Sequence, residues 1–359
     1  MTTAPVQQHT DSTVPSAAGQ ERAAALVDLY GRRFHRIPGY DRMPPFFMTL
    51  VSSSDVWLFI SSTGGLTAGR VDAENALFPY YTDDKVAESA GRTGGLTILR
   101  VGKSGTHWQP FGEVRPGDPE VERTLYKDVL GTTLVFEEVR PDLGLRFRVT
   151  WETSARHGVV RSCELTAVGD QPCEAELVDG LVNLLPAGTS QQVQNELSNL
   201  LDAYKRSELD AAAGLGIFHL NASLTDLAEP SESLRANVAW QVGLTDVTHL
   251  LSTRQVAAFT RGDAVTEETE VRGERGAYLL RTRLSLAPGE TRSWRIAADV
   301  DHDAADVVAL LTQLRDAQQL LEQLAAVAAL AGHVGDDPEP VHVPLAGEDL
   351  DDGVGVRDR

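Results

Sequence analysis

The stretch Thr132–Thr153, TTLVFEEVRPDLGLRFRVTWET, decides how the chain folds. Two β-rich runs, Thr132–Val139 and Gly144–Thr153, flank the turn signal Pro141-Asp142. In the second run Leu145, Phe147, Val149 and Trp151 alternate with Arg146, Arg148 and Thr150. A period of two sends one set of side chains to a core and the other outward, which is the signature of a half-buried strand. The same kind of run recurs outward from this pair, upstream at Leu96–Val101 and downstream at Val159–Val168, Glu174–Leu185 and Leu215–Leu224. Asn237–Leu244, Ala277–Leu286 and Thr291–Val300 complete the series. Gly169-Asp170 and Pro288-Gly289 separate further strands, and LAPGETRSW reads as a tight turn between two adjacent ones. Many strands over some 250 residues, with few helices between, predict a mainly-β fold: one large antiparallel β-sandwich.

Helical patterns are few. ERAAALVDLY, Glu21–Tyr30, predicts a short helix ahead of Pro38. Ser190–Leu209 places Val193, Leu197, Leu200, Leu201 and Tyr204 on one side of an amphipathic insertion. Asp303–Ala331 predicts the longest helix, with Val307, Leu310, Leu311, Leu314, Leu321, Leu324 and Val327 at spacings of three and four. Polar composition predicts disorder for residues 1–20 and an acidic, disordered tail at 333–359. Between them lie the sandwich, 21–300, and a helix, 301–332.

The net charge of −20 carries no compensating basic run, which argues against nucleic acid and anionic membrane as partners. The opening residues lack a basic start and an apolar core, and no run reaches membrane-spanning length, so a cytoplasmic protein is expected. Cys163 and Cys173 are then expected as buried free thiols.

Chemistry concentrates in DVWLFISSTGGLTAGRVDAENALFPYYTDDK, Asp55–Lys85. A strand empties into a loop carrying Arg70, Asn75, Tyr80, Asp83, Asp84 and Lys85. Loops on rigid strand ends commonly carry sites, and they equally commonly plug a sandwich end. Of the carboxylate pairs, Glu137 and Glu138 are neighbours on a strand and face opposite ways. Asp83-Asp84 escapes that objection but fits a solvated loop equally well. Asp299, Asp301, His302 and Asp303 read as a helix N-cap rather than a cation site. No G-x-S-x-G, Cys–His or Walker pattern is present, and no metal or cofactor is implied. Trp57, Trp151, Trp240 and Trp294 lie in strand runs and are expected in the core. Trp108, in KSGTHWQPFGE, is the exposed candidate for stacking on a sugar. His107, His157 and His219 offer an aldose-epimerase type of acid/base site, with no spacing that selects a pair.

The Asp55–Lys85 block, with LVFEEVRPDLGLRFRVTWETS and DGLVNLLPAG, resembles the N-terminal β-supersandwich of cellobiose-phosphorylase-like enzymes, relatives of glycoside hydrolase family 94 with a galactose-mutarotase-like fold. The resemblance runs from about Pro44 to Ala331 and likens the last helix to the linker that leads to a catalytic (α/α)6 barrel. This chain lacks that barrel, so no catalytic residue transfers. The resemblance implies a non-catalytic carbohydrate-binding or structural module, or a truncated enzyme. Its ligand would be a glucoside or oligosaccharide, its partner a second copy or a barrel-bearing chain. A stand-alone epimerase-like enzyme and a purely structural dimerisation domain are the alternatives.

Overall fold

The computed structural model describes residues 25–222 and 233–331. The tails expected at 1–20 and 333–359 lie outside the described residues. The chain begins with strands β1 (Ala25–Leu29), β2 (Arg32–Pro38), β3 (Phe47–Leu50), β4 (Val56–Ser61) and β5 (Leu66–Arg70), then helix α1 (Asp83–Glu88). Next come β6 (Gly94–Val101), β7 (Thr106–Trp108), β8 (Glu122–Asp128), β9 (Leu134–Arg140), β10 (Leu145–Ser154), β11 (Gly158–Ala167) and β12 (Cys173–Leu184). Two short helices, α2 (Gln191–Glu196) and α3 (Ser198–Tyr204), lead into β13 (Lys205–Asp210), β14 (Leu215–Leu220), β15 (Ala236–Val242) and β16 (Thr248–Leu250). The order ends with α4 (Val256–Arg261), β17 (Glu270–Arg272), β18 (Gly276–Leu286), β19 (Thr291–His302) and α5 (Ala304–Ala331).

The expected large antiparallel sandwich forms. One sheet of 11 strands runs β1-β2-β8-β9-β10-β11-β19-β15-β14-β13-β17, facing a second of five, β16-β18-β12-β6-β7. A small sheet, β3-β4-β5, closes one side. The alternation of β10 is realised as read: Phe147, Val149 and Trp151 enter the core beside Cys163, Leu165, Trp294 and Ile296. Leu99, Leu177, Tyr278 and Leu280 meet them from the five-stranded sheet. Burial of such side chains, about 1.5–3 kcal/mol each, is the main force joining the layers.

Pro141-Asp142 makes the hairpin between β9 and β10, as expected. Pro288-Gly289 does not make one: β18 pairs with β12 and β16, while β19 pairs with β11 and β15. That turn crosses from one sheet to the other and is held where Gly289 N donates to Ala167 O. A short turn fixes only that two strands are near, and the partner across each face decides their sheet.

Two helical expectations change. Residues 25–29 of the expected first helix form β1, an edge strand. Tyr30 and Gly31 both have positive φ (51° and 70°), the backbone of a tight two-residue hairpin, and fold β1 onto β2. Val27 and Leu29 then pack on Phe34. The insertion at Ser190–Leu209 is broken into α2 and α3, and its end joins the large sheet as β13. Only Leu201 of its apolar side is fully buried, with Leu197 and Leu200 exposed. The long helix α5 forms as expected. Asp303 caps it, its Oδ1 accepting from Ala305 N and Asp306 N. Leu310 and Leu314 dock on Leu215, Val238 and Trp240, the outer face of the large sheet. The side chains of Leu321, Leu324 and Val327 lie outside those described.

Candidate functional site

A buried ion pair joins the two main sheets. Asp179 on β12 is fully buried opposite Thr97 on β6, and Arg161 reaches it across the core from β11. Its Nη1 and Nη2 donate to the two Asp179 oxygens at 2.7 and 2.8 Å. Thr97 Oγ1 and Trp294 Nε1 add donors at 2.5 and 2.7 Å. Desolvation of two ions costs several kcal/mol each, and hydrogen bonds to both carboxylate oxygens offset it, with Arg161 Nε left buried and without a hydrogen-bond partner. Burial alone pushes the guanidinium down, but the Asp179 carboxylate outweighs it and holds Arg161 above its ordinary range. Burial pushes the neighbouring Cys163 thiol well up. Cys163 and half-buried Cys173 are both free.

Glu138 builds the adjoining wall. Fully buried on β9, it accepts from Trp108 Nε1 (2.6 Å), Phe111 N (2.7 Å) and Arg123 Nε (2.7 Å). Arg123 Nη2 continues to Gly112 O at 2.6 Å. One carboxylate thus fixes the turn 109–113, including Phe111 at φ 61°, a left-handed backbone unusual for an aromatic residue. Such conformations persist where surrounding contacts over-determine them. Glu137 points the other way, to Tyr126 Oη and Arg148 Nε.

Between these walls opens a cleft of about 510 Å³. Trp151 and Arg161 line it with Thr97, and the turn presents Gln109 and Phe111. Tyr40, Asp41 and Arg123 face it, and Ser62, Thr63 and Gly64 border it from the end of β4. A Cβ on Gly95 would lie 3.0 Å from Arg161 Nε and 3.3 Å from the Trp151 ring, so glycine there lets β6 pass close to both. Burial pushes the Tyr40 phenol far up, so it stays protonated and can donate a hydrogen bond. The cleft therefore offers aromatic faces beside fixed donors and acceptors, the combination that holds a polyhydroxylated ligand.

Of the candidate ligand-binding residues read from the sequence, Arg70, Asn75, Tyr80, Asp83, Asp84, Lys85 and Trp108, none lines this cleft. Arg70 clamps Asp299 through two hydrogen bonds of 2.6 and 2.9 Å and also binds Asp55 and Ala155 O. Asn75 donates to Asp72, and Tyr80 sits edge-on against Trp57. Asp83, Asp84 and Lys85 form the exposed first turn of α1, with Asp84 bonded to Thr82. Trp108, expected exposed, is 2% exposed, because the indole N–H finds a buried carboxylate in Glu138. Trp57, expected in the core, is only half-buried, whereas Trp151, Trp240 and Trp294 are core residues. The histidines do not converge: His157 packs on Trp240, His219 bonds Glu208, and exposed His107 lies on β7. Asp299, Asp301, His302 and Asp303 do not gather as a metal cluster among the described residues. Sequence reading flagged the turn that lines the cleft through Trp108, but missed Gln109, Phe111, Arg123 and Arg161. Their only signal was their place beside KSGTHWQPFGE and the inward side of β11.

No family model matches the sequence, and no curated protein matches it. Solved structures do show similarity. A putative aldose 1-epimerase from Klebsiella pneumoniae is 11% identical with a TM-score of 0.39, over 83% of this chain and 90% of that one. A putative aldose 1-epimerase from Escherichia coli K12 is 11% identical with a TM-score of 0.35, over 72% of this chain and 99% of that one. A polysaccharide lyase is 16% identical with a TM-score of 0.37, over 73% of this chain and 33% of that one. The chain thus spans a third of the lyase's length. At such TM-scores these likenesses do not carry chemistry across. No helix of the described residues is long and apolar enough to cross a membrane.

Proposed function

We propose that this chain is a carbohydrate-binding β-sandwich module that holds a neutral saccharide in the cleft between Trp151, Phe111 and Tyr40. The observation that supports it is the pairing of those rings with Gln109, Thr97 and Arg123, each fixed by its strand or by Glu138. Sugar rings have apolar faces and hydroxyl edges, which such a site satisfies together. Both guanidiniums are already paired with buried carboxylates, so the cleft offers hydrogen bonds rather than free positive charge. The reading extends the resemblance to the galactose-mutarotase-like sandwich of cellobiose-phosphorylase-like enzymes, where such a module works beside a catalytic barrel. A second copy or a barrel-bearing chain is the partner it implies.

Titration calorimetry with glucose, galactose and β-linked gluco-oligosaccharides tests the site. Gln109→Ala is expected to weaken binding about tenfold, one lost hydrogen bond in a desolvated site. Absence of any heat with saccharides at about 10 mM would sink the proposal. Polarimetry of α-glucose with the same protein separates binding from epimerase action: the module leaves the mutarotation rate at its buffer value.

A further inference from the structure

On the outer face of the large sheet lies another concavity, of about 420 Å³, lined mainly by arginine and hydroxyl side chains. Arg32, Arg156 and Arg295 line it against a single carboxylate, Glu152, in a chain whose net charge is −20. The carboxylate is spent: Glu152 Oε1 accepts from Arg32 Nη2 at 3.0 Å and from Thr133 Oγ1 at 2.8 Å. Arg156 reaches Gln313 on α5 at 3.4 Å. The side chain of Arg295, on β19 opposite Ser162, makes no hydrogen bond or ion pair among the described residues. Distant acids do not cancel this charge, because at physiological salt interactions between exposed charges fade beyond about 8 Å. Hydroxyls of Ser162 and Thr153 also line it.

We infer that this groove binds the oxyanion group of a small ligand, with Arg295 as the principal free cation and the hydroxyls as its neutral donors. Guanidinium recognises carboxylate, phosphate and sulfate alike through paired N–H groups, so the shared chemistry is the oxyanion. The site is separate from the cleft and stands whether or not the cleft binds sugar.

Calorimetry of the full chain with inorganic phosphate, glucose 6-phosphate, glucuronate and glucose reads it directly. Phosphate and glucose 6-phosphate are expected to bind here, with affinity falling several-fold from about 0.05 to 0.3 M NaCl. A preference for glucuronate over both would assign the group as carboxylate rather than phosphate and equally support the groove. Arg295→Gln is expected to weaken the anion at least tenfold while leaving glucose binding and the melting temperature unchanged, and Arg295→Lys to restore part of it. The inference is overturned if R295Q binds the anions as tightly as the parent chain. It is overturned too if glucose alone accounts for glucose 6-phosphate binding, or if no anion binds at about 10 mM.

Discussion

Glu137 and Glu138 carry the same side chain one position apart and do different work. The strand pleat sends Glu137 to Arg148 and Tyr126 on the outer face, and Glu138 inward to Trp108, Arg123 and the turn that walls the cleft. Glu138→Gln keeps the shape but removes the charge facing Arg123, whose side chain is 9% exposed. Breaking a buried pair in this way costs about 3–5 kcal/mol, so urea unfolding should show a loss of that size, together with weaker saccharide binding as the turn loosens. Cys163 gives a second residue-scale outcome. Buried and with its thiol pushed up, it should resist thiol-disulfide reagents in the native protein and react only on unfolding, while half-buried Cys173 reacts first. Equal labelling rates for the two would contradict the buried placement.

At the scale of elements, α5 is part of the sandwich and not merely an appended linker. Its first turns bury Leu310 and Leu314 against Trp240 and Val238, and Arg315 reaches Asp210 at 2.8 Å. Leu314→Ala should therefore cost about 2–4 kcal/mol in global unfolding, a buried methyl-rich side chain replaced by a cavity. A helix that only hung from the domain would show no such change. The same element shows how periodicity succeeds where propensity fails. Spacings of three and four marked α5 correctly, because an amphipathic stripe needs a face to bury. The short run at Glu21–Tyr30 matched helix propensity equally well, yet Tyr30-Gly31 turned its residues 25–29 into a hairpin strand. Likewise Pro288-Gly289 marked a turn truly, while the sheets it connects were set by packing.

Over the whole molecule, charge pairs bind distant parts of the chain. Arg70 on β5 clamps Asp299 on β19, joining the small sheet to the large one. Burial alone raises the Asp299 carboxyl, but hydrogen bonds from His302 and Arg70 outweigh it and hold it below the usual carboxylate range. A carboxyl depressed in the folded state contributes stability above its unfolded value, about pH 4, and loses it as pH falls through the lower folded value. Arg70→Ala should lower stability at pH 7 by about 3 kcal/mol and flatten the acid limb of a pH–stability curve below about pH 4. An unchanged acid limb would show that Asp299 is not the group involved.

The sequence by itself determined the layers. Alternating apolar residues on β10, β11, β18 and β19 can be buried only on one face of a sheet, so a large antiparallel sandwich follows from local pattern. It also determined the separation of Glu137 from Glu138, since the pleat leaves no other choice. Tertiary structure alone decided the site. Arg161 meets Asp179 and Thr97 only because two sheets pack face to face. Trp108 is buried only because Glu138 waits beneath it, and Arg70, prominent in its loop, is consumed by Asp299, which lies 229 residues away. Such pairings join positions with no local relation, and the burial and charge that fix them exist only once the core has closed.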